Sequence, residues 1–227
     1  MNFKTTREIA IFLKYYGDHA KSHRAKALMF VSDKYQFVFF EVQRTGSNSV
    51  TKALRQIDPE SPTVAARALK PATDYHAFRI PDHAQHYAII ATHRNPYARL
   101  WSHWKHRNRH GNPKIFKETP WVKYIHWALD KNNVPEIQNA TPEIAIMEMP
   151  RTDKVTHWLS FDNLADDWQA VCKDLNLGDH PLEVVNQSNK MGTLKNAYNS
   201  DLAELVYQRF KVDFDAFNYA KDSWMSD

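Results

Sequence analysis

The residues best suited to chemistry form a polar loop, residues 43–49, between an apolar run and a stretch with helical spacing. The run before it, residues 37–42, is short, aromatic and β-branched, which predicts a buried strand. The stretch after it, residues 50–54, places its apolar side chains on one face of a helix. A strand, a turn at Gly46 and a helix bring backbone N–H groups and the positive end of a helix dipole to one point. Arg44 adds a guanidinium there, so the loop predicts a site for a phosphate-type anion.

The kind of anion loop is limited by its glycine content. No second glycine followed by Lys-Ser/Thr is present, so the loop is not a Walker A sequence and a kinase or ATPase loses its main support. We expect one of the polar residues Ser47, Asn48 and Ser49 to cap a helix predicted over residues 49–56.

A second strand and helix follow the same plan. Residues 87–92 predict another buried strand, which ends at Arg94, and Pro96 suits the first turn of the next helix. Ser102 falls about two turns into that helix. Ligands of open α/β sheets bind outside the carboxyl ends of the strands. Arg44 and Arg94 can therefore face one ligand that carries two separate anionic groups, such as well-separated phosphates.

Both units match a known pair of motifs. The loop sequence QRTGSNS resembles the 5′-phosphosulfate loop of sulfotransferases, which is written around Lys/Arg-Ser/Thr-Gly-Ser/Thr. The second unit is similar to their 3′-phosphate motif, R-x-P-x-x-R-x-x-S, and matches it at every fixed position: Arg94, Pro96, Arg99 and Ser102. Residues 158–164 resemble the strand and helix that these enzymes carry after the acceptor region, and residues 185–219 resemble the C-terminal segment of their carbohydrate branch. The resemblance runs from about residue 35 to about residue 219.

This resemblance implies an α/β fold in three layers, α/β/α, with a central parallel sheet and a P-loop-like nucleotide site. It implies one sulfotransferase domain, 1–227, in which residues 1–34 form an N-terminal helix and a basic link and residues 35–219 form the core. The implied reaction moves the sulfuryl group from 3′-phosphoadenosine 5′-phosphosulfate (PAPS) to a hydroxyl of a carbohydrate acceptor, with PAP as product and no metal. The residues implied to bind the nucleotide are Arg44, Thr45, Gly46, Ser47, Asn48, Ser49, Arg94, Ser102 and Lys190.

Two catalytic roles follow from the movement of charge in this reaction. The leaving nucleotide gains negative charge on its bridging oxygen, which Arg44 and the loop N–H groups would stabilise. Arg44 stands where many sulfotransferases carry lysine, and arginine keeps its proton, so it supplies charge and not a proton. The acceptor hydroxyl needs a base. We expect His76, which lies between the two motifs, with His83 and Glu41 as alternatives.

Two other functions fit the same residues. One is a non-catalytic PAP- or PAPS-binding module that keeps the loops without turnover, since Arg44 replaces lysine and the base is open. The other is a nucleotide-dependent kinase of related fold, which predicts affinity for ATP and Mg²⁺.

Composition limits the class of protein further. The 227 residues carry 30 Lys and Arg against 26 Asp and Glu, and a net charge of +4 is too mild for a general nucleic-acid binder. The one cysteine, Cys172, excludes an internal disulfide, and we expect it in the core.

No signal-peptide pattern or run of membrane-spanning length is present, which predicts a cytoplasmic chain. The basic residues 105–117 predict either a solvated loop or a patch for an anionic glycan.

Periodicity and capping predict the remaining elements. A helix is expected from a capping box at Thr5, another over residues 64–69, and a third that contains Trp121 and Leu129. Asn163 is expected to cap a helix that Gly178 ends. A last helix is expected to start at Ser200, with four side chains facing inward: Leu202, Leu205, Val206 and Phe210.

Overall fold

The computed structural model describes residues 28–61, 63–65, 80–110, 120–129, 155–183 and 193–226. The predicted helix at Thr5 and two predicted site residues, His76 and Lys190, lie outside the described residues. The strands are β1 (Leu28–Ser32), β2 (Phe37–Glu41), β3 (Thr63–Ala65), β4 (Ala88–His93) and β5 (His157–Ser160). The helices are α1 (Ser47–Ile57), α2 (Pro96–His110), α3 (Trp121–Leu129), α4 (Leu164–Asp174), α5 (Leu194–Ala197) and α6 (Ser200–Ala216). Short 3₁₀ helices occur at Asp82–Ala84, Phe161–Asn163 and Ser223–Met225.

The five described strands form one sheet in the order β3-β1-β2-β4-β5. Strands β2, β4 and β5 are parallel, while β1 runs antiparallel to both β2 and β3. The predicted α/β fold is confirmed, and the predicted parallel sheet is a mixed sheet with a parallel half. A connection of only four residues joins β1 to β2, and so short a link allows only an antiparallel pair.

Two predictions at this end of the sheet are wrong. The expected boundary of the core at residue 35 leaves out β1, whose Phe30 pairs with Phe39 in the middle of the sheet. The helix expected over residues 64–69 does not begin there, because Thr63–Ala65 is a strand that pairs with β1. Each segment is short, and its state is decided by the partner strand and not by its own periodicity.

Alternation along the strands gives the sheet two apolar faces. Phe37 and Phe39 point to one face, where α1 and α4 pack and Trp168 is fully buried. Val38 and Phe40 point to the other face, which is covered by Ile80 and the 3₁₀ helix Asp82–Ala84. Cys172 lies in the first of these clusters at 1% exposure, as expected.

A third apolar cluster joins α2, α3, α5 and α6. Its fully buried members include Tyr97 of α2, Ile125 of α3 and Val206 of α6. This cluster fixes the direction in which α2 leaves the sheet. Arg99 is buried within this group at 1% exposure, with its guanidinium 5.8 Å from the ring of Phe210. None of the helices in the described ranges is long and apolar enough to cross a membrane.

Several helix predictions are confirmed and several boundaries differ. Helix α3 runs over Trp121–Leu129, and α6 begins at Ser200 behind Asn199, whose side chain accepts from the Leu202 N–H at 2.9 Å. Leu205 is 41% exposed and not inward, because at about 100° per residue it lies outside the buried stripe of α6.

The two predicted caps also differ from the structure. The amide of Asn163 donates to Asp167 at 2.8 Å and makes no cap hydrogen bond, and α4 ends at Asp174, before Gly178. Helix α1 begins at Ser47, two residues earlier than expected, and none of the predicted polar caps holds it. Gly46 occupies the N-cap position.

Candidate anion-binding site at the carboxyl edge of the sheet

The three parallel strands end at one edge of the sheet. Strand β2 pairs in register with β4, and β4 with β5, so Glu41, His93 and Ser160 lie at the same side. Each strand is followed by a short loop and then a helix: α1, α2 and α4. This edge is the position at which α/β sheets bind ligands.

The first loop is held by threonines. The hydroxyl of Thr45 donates to the carbonyl of Val42 at 2.7 Å and lies 2.5 Å from the hydroxyl of Thr92 on β4. Both threonines are fully buried. Because Thr92 belongs to the neighbouring strand, the hydroxyl pair fixes the loop relative to the second unit. Thr45 therefore shapes the loop through its side chain.

Two loop residues adopt left-handed backbone conformations. Gly46 has φ 86°, which glycine reaches without strain, and Arg44 has φ 65°. A left-handed residue with a side chain costs roughly 1–2 kcal/mol. Strain of this kind is concentrated at functional sites, where the surrounding contacts hold it in place. The sequence offered no signal of the strain at Arg44.

Gly46 also lies too close to its neighbours for any other residue. A Cβ atom at this position would stand 2.7 Å from Cδ2 of Leu164 and 3.3 Å from the ring of Phe161. Both neighbours follow β5, so the first loop packs directly on the third unit. The glycine is required by the backbone angle and by this close approach together.

Arg94 lies between the first and third loops. Its Nη1 donates to the backbone carbonyl of Arg44 at 3.3 Å, and its guanidinium stacks 3.7 Å above the ring of Phe161. Its Nε is buried and has no hydrogen-bond partner in the described part of the chain. Burial lowers the pKa of Arg94 to about 10, against the opposing effect of the nearby Asp162 carboxylate. The side chain is still cationic at neutral pH, with a donor left for an anion.

Ser102 joins the two predicted motifs directly. Its hydroxyl oxygen accepts from Arg44 Nε at 3.2 Å and from Arg44 Nη2 at 2.9 Å. Ser102 is 4% exposed and lies on α2, one side of which is fixed by the helical cluster. The structure thus brings Arg44, Gly46, Arg94 and Ser102 to one place, from positions up to 58 residues apart.

The first turns of the three helices differ in charge, and only two of them are free of acidic residues. Neither α1 nor α2 has an acidic residue in its first turn, so the positive ends of their dipoles are not neutralised locally. Helix α4 has Asp166 and Asp167 there, and Asp167 accepts from the Ser160 N–H at 2.7 Å. An anion is therefore favoured at the first and second units and disfavoured at the third.

The remaining loop residues differ in exposure. Ser47 and Ser49 are mostly buried at the start of α1, and Asn48 is exposed. The Ser49 N–H donates to the carbonyl of Gly46 at 3.0 Å, which closes the first turn of the helix. The N–H groups of Ser47 and Asn48 come before that hydrogen bond and, as at any helix N-terminus, have no acceptor within the helix.

The candidate bases are placed at different edges. Glu41 ends β2 at the edge that carries the loops, and it accepts from the Thr51 hydroxyl at 2.6 Å. His83 precedes β4 and lies 3.1 Å from Asp33, in the turn between β1 and β2, at the opposite edge of the sheet. The structure does not bring His83 to the loops. Among the residues that the structure describes, no group of three or more His, Cys, Asp or Glu side chains could hold a metal ion.

Three aromatic residues at the site were not selected from the sequence. Phe161 contacts both Arg94 and Gly46, and His93 lies next to Arg94 with its Nδ1 2.8 Å from the Tyr219 hydroxyl. Burial lowers the pKa of His93, which favours the neutral ring. The only sequence signal for a role of these residues was their position, because Phe161 follows the third parallel strand and His93 ends the second.

A comparison with protein families agrees with this geometry. The sulfotransferase family model matches residues 28–220, and the chain belongs to that family. The match begins at β1 and ends beyond α6, so it includes both anion-binding units. No curated protein and no solved structure matches the chain significantly. The family supports a transferase that carries out sulfotransfer and has an α/β fold.

Proposed function

We propose that this chain is a PAPS-dependent sulfotransferase that sulfates a carbohydrate hydroxyl. The observation that carries the proposal is the contact of the two anion-binding units, in which Arg94 donates to the Arg44 carbonyl and Arg44 donates to Ser102. Two arginines and two helix N-termini at one edge suit a ligand with anionic groups at both ends. PAPS has a phosphosulfate at one end and a 3′-phosphate at the other.

Arg44 and the first loop act at the reacting end. When the sulfuryl group leaves the nucleotide, negative charge grows on the bridging oxygen of the phosphate. The guanidinium of Arg44 and the N–H groups of Gly46, Ser47 and Asn48 stabilise that charge. The Ser49 N–H, the fourth that the sequence offers, already donates to the Gly46 carbonyl. Removing one preorganised donor of this kind costs a factor of roughly 10²–10³ in kcat.

Arg94 and Ser102 act at the other end of the nucleotide. Arg94 is already partly desolvated and has an unused buried donor, so a phosphate placed there meets a strong, fixed cation. Ser102 donates its hydroxyl to the same phosphate while Arg44 still contacts its oxygen. Lys190 is the further residue that we propose for the nucleotide, on the resemblance alone.

The base that accepts the proton of the acceptor hydroxyl is His76 or Glu41. Glu41 lies at the loop edge, next to the start of α1, which supports it over His83. We expect replacement of the true base, by Glu41→Gln or His76→Asn, to lower kcat and leave PAP affinity unchanged. The acceptor class is proposed from the resemblance of residues 185–219 to the carbohydrate branch.

The first test is thermal stabilisation by PAP in the wild type and in Arg94→Ala. A ligand that binds only the native state stabilises it by roughly 2.7 kcal/mol at a hundred times its Kd. We expect a clear rise in Tm with PAP, its loss in Arg94→Ala, and no effect of Arg55→Ala. This control removes an equal charge from an exposed site on α1.

The outcomes separate the competing functions. Transfer of labelled sulfate from PAPS to one member of a carbohydrate panel supports the proposal fully. PAP binding with no transfer to any acceptor indicates a binding module without turnover. Stabilisation by ATP with Mg²⁺ but not by PAP indicates a kinase. Absence of any PAP shift at millimolar concentration contradicts the nucleotide site itself.

A further inference from the structure

The chain reverses direction after α6 and returns along the start of α2. We call residues 217–223 the C-terminal strap. Asn218 has φ 54°, and the Tyr219 N–H donates to the Phe214 carbonyl at 3.0 Å, which makes the reversal tight. The strap then passes the segment that joins β4 to α2. The C-terminal strap therefore lies beside Arg94 and is separate from the loop at residues 43–49.

The strap contacts every second residue of that segment. His93 stacks on Phe217 with ring centroids 4.0 Å apart, and its Nδ1 lies 2.8 Å from the Tyr219 hydroxyl. The amide of Asn95 donates to the Ser223 hydroxyl at 2.7 Å. Tyr219 and Ser223 thus hold His93 and Asn95, the residues on either side of Arg94.

The next contact continues the pattern into the helix. The Tyr97 hydroxyl donates to the carbonyl of Lys221 at 2.8 Å. The Asn95 side chain also accepts from the Tyr97 N–H at 2.9 Å, so the group that begins α2 is itself oriented by Ser223. Three alternating residues are therefore fixed on one side of the chain.

Arg94 points away from the strap as a consequence. Residues 93, 95 and 97 face residues 217–223, while the Arg94 guanidinium reaches Phe161 and the Arg44 carbonyl. Since the backbone is held on both sides of Arg94, its side chain leaves from a fixed point. An arginine that binds a phosphate in a fixed position loses less entropy than one on a free loop.

We propose that the C-terminal strap is a positioning element for the phosphate-binding arginine, and that Tyr219 and Ser223 are its positioning residues. This inference rests on the proposed function for its ligand, the 3′-phosphate of PAP. Neither residue touches the nucleotide in this account. Both act by fixing His93 and Asn95, and so Arg94.

The test uses the full-length chain with Tyr219→Phe and Ser223→Ala combined, since both substitutions keep the packed groups and remove only hydroxyls. The control is Tyr87→Phe, which also removes a tyrosine hydroxyl hydrogen bond, to Asp33 at 3.0 Å, but at the opposite edge of the sheet. We expect the Kd for PAP to rise roughly tenfold in the strap variant, as loss of the hydrogen bonds of both hydroxyls predicts, and to stay within about twofold in the control.

A cycle with Arg94→Ala separates positioning from general destabilisation. If the strap acts through Arg94, the strap substitutions have no further effect on PAP affinity in the Arg94→Ala background. Where Arg94→Ala binds PAP too weakly to measure, the whole cycle is run on all four variants with inorganic pyrophosphate at high concentration as the probe. Full additivity of the two changes would overturn the proposal, as would an unchanged Kd in the strap variant.

Amide hydrogen exchange keeps this inference distinct from the proposed function. If the wild type does not bind PAP, the proposed function fails, and the strap is judged without ligand. We then expect faster exchange at residues 93–97 in the strap variant and no change there in Tyr87→Phe. Equal exchange in wild type and strap variant would overturn the positioning role in that case.

Discussion

Two glycines, Gly46 and Gly178, are constrained by their backbone angle, and one of them is also constrained by close packing. Gly46 has both, since its φ is 86° and its neighbours Leu164 and Phe161 leave no space for a Cβ. Gly178 has only the first, with φ 91° and its closest side-chain atom at an ordinary 3.5 Å. The pair therefore separates the cost of a left-handed side chain from the cost of a clash.

We predict that Gly46→Ala destabilises the fold more than Gly178→Ala. Both substitutions carry roughly 1–2 kcal/mol of left-handed strain. Gly46→Ala adds overpacking against Leu164, which typically costs roughly 1–3 kcal/mol. Urea unfolding of the two variants measures the difference. Equal losses would show that Leu164 moves aside freely. Comparing Leu164→Ala with the combined Gly46→Ala and Leu164→Ala variant checks this, because the difference measures the cost of Gly46→Ala without the contact to Leu164 Cδ2.

The first turns of the helices set the charge along the edge of the sheet that carries the loops. The three strand–loop–helix units are alike in backbone plan, yet α4 begins with two aspartates while α1 and α2 begin with none. Strand β4, the middle one of the three parallel strands, has a further role, because it ends in Thr92 and His93 and is followed directly by Arg94. These three contact the first loop, the strap and Phe161 in turn.

We predict that His93 makes stability depend on pH in the acid range. Its pKa is lowered by burial from an ordinary 6.5, so the unfolded chain takes up a proton before the folded chain does. The contribution of neutral His93 to the free energy of unfolding is therefore fully present above pH 6.5. It is lost as the pH falls from 6.5 toward the lower pKa of His93 in the folded state, by up to about 1.4 kcal/mol per pH unit. Unfolding curves of wild type and His93→Asn from about pH 7.5 to about pH 5 measure this.

The contribution of His93 is the difference between the two curves. We expect that difference to shrink as the pH falls, because His93→Asn has no group to protonate at this position. A constant difference across the range would contradict the lowered pKa. Titration of the His93 ring by NMR gives the folded pKa directly and should place it below 6.5.

Two of the three apolar clusters of the described residues meet near the site. The sheet with α1 and α4 forms one, around Trp168, and α2, α3, α5 and α6 form the other, around Tyr97 and Phe214. Arg44 belongs to the first group and Ser102 to the second. Their hydrogen bonds therefore depend on the relative position of both groups, and so on global folding.

We predict that Cys172 reports on global unfolding. Its side chain is 1% exposed, and burial raises the pKa of the thiol to about 11. The reactive thiolate is thus scarce at about pH 8, and reagent reaches the sulfur only when the core opens. We expect native labelling with a disulfide reagent to be at least about a thousandfold slower than in denaturant.

A matched control moves the thiol by one residue. Cys172→Ala with Lys173→Cys places a thiol on the exposed side of the same helix. This variant should react rapidly in the native state. Rapid native labelling of wild-type Cys172 would contradict the packing of α4 on the sheet. If PAP binds as proposed, it should slow the wild-type reaction further, because it stabilises the native state.

Local patterns in the sequence were sufficient for the elements at the site and for its charge. The apolar runs of β2 and β4, the glycine turn at position 46 and the start of α2 at Pro96 each depend on neighbours within a few residues. The start of α1, two residues before its predicted position, was not determined in this way. The two motifs also predicted that Arg44 and Arg94 share an edge, because parallel strands end together. The family and the α/β fold followed from these residues and are confirmed.

Tertiary structure alone decided what each of these side chains touches. Three contacts at the site join residues that are far apart in the chain: Ser102 with Arg44, Phe161 with Arg94, and Tyr219 with His93. Periodicity states which face of an element is buried, but not which element covers it or at what distance. Those contacts depend on how the two apolar groups pack together. Hence the sequence by itself determined the two strand–loop–helix units and their basic residues, and only the packed structure determined the residues that hold them in position.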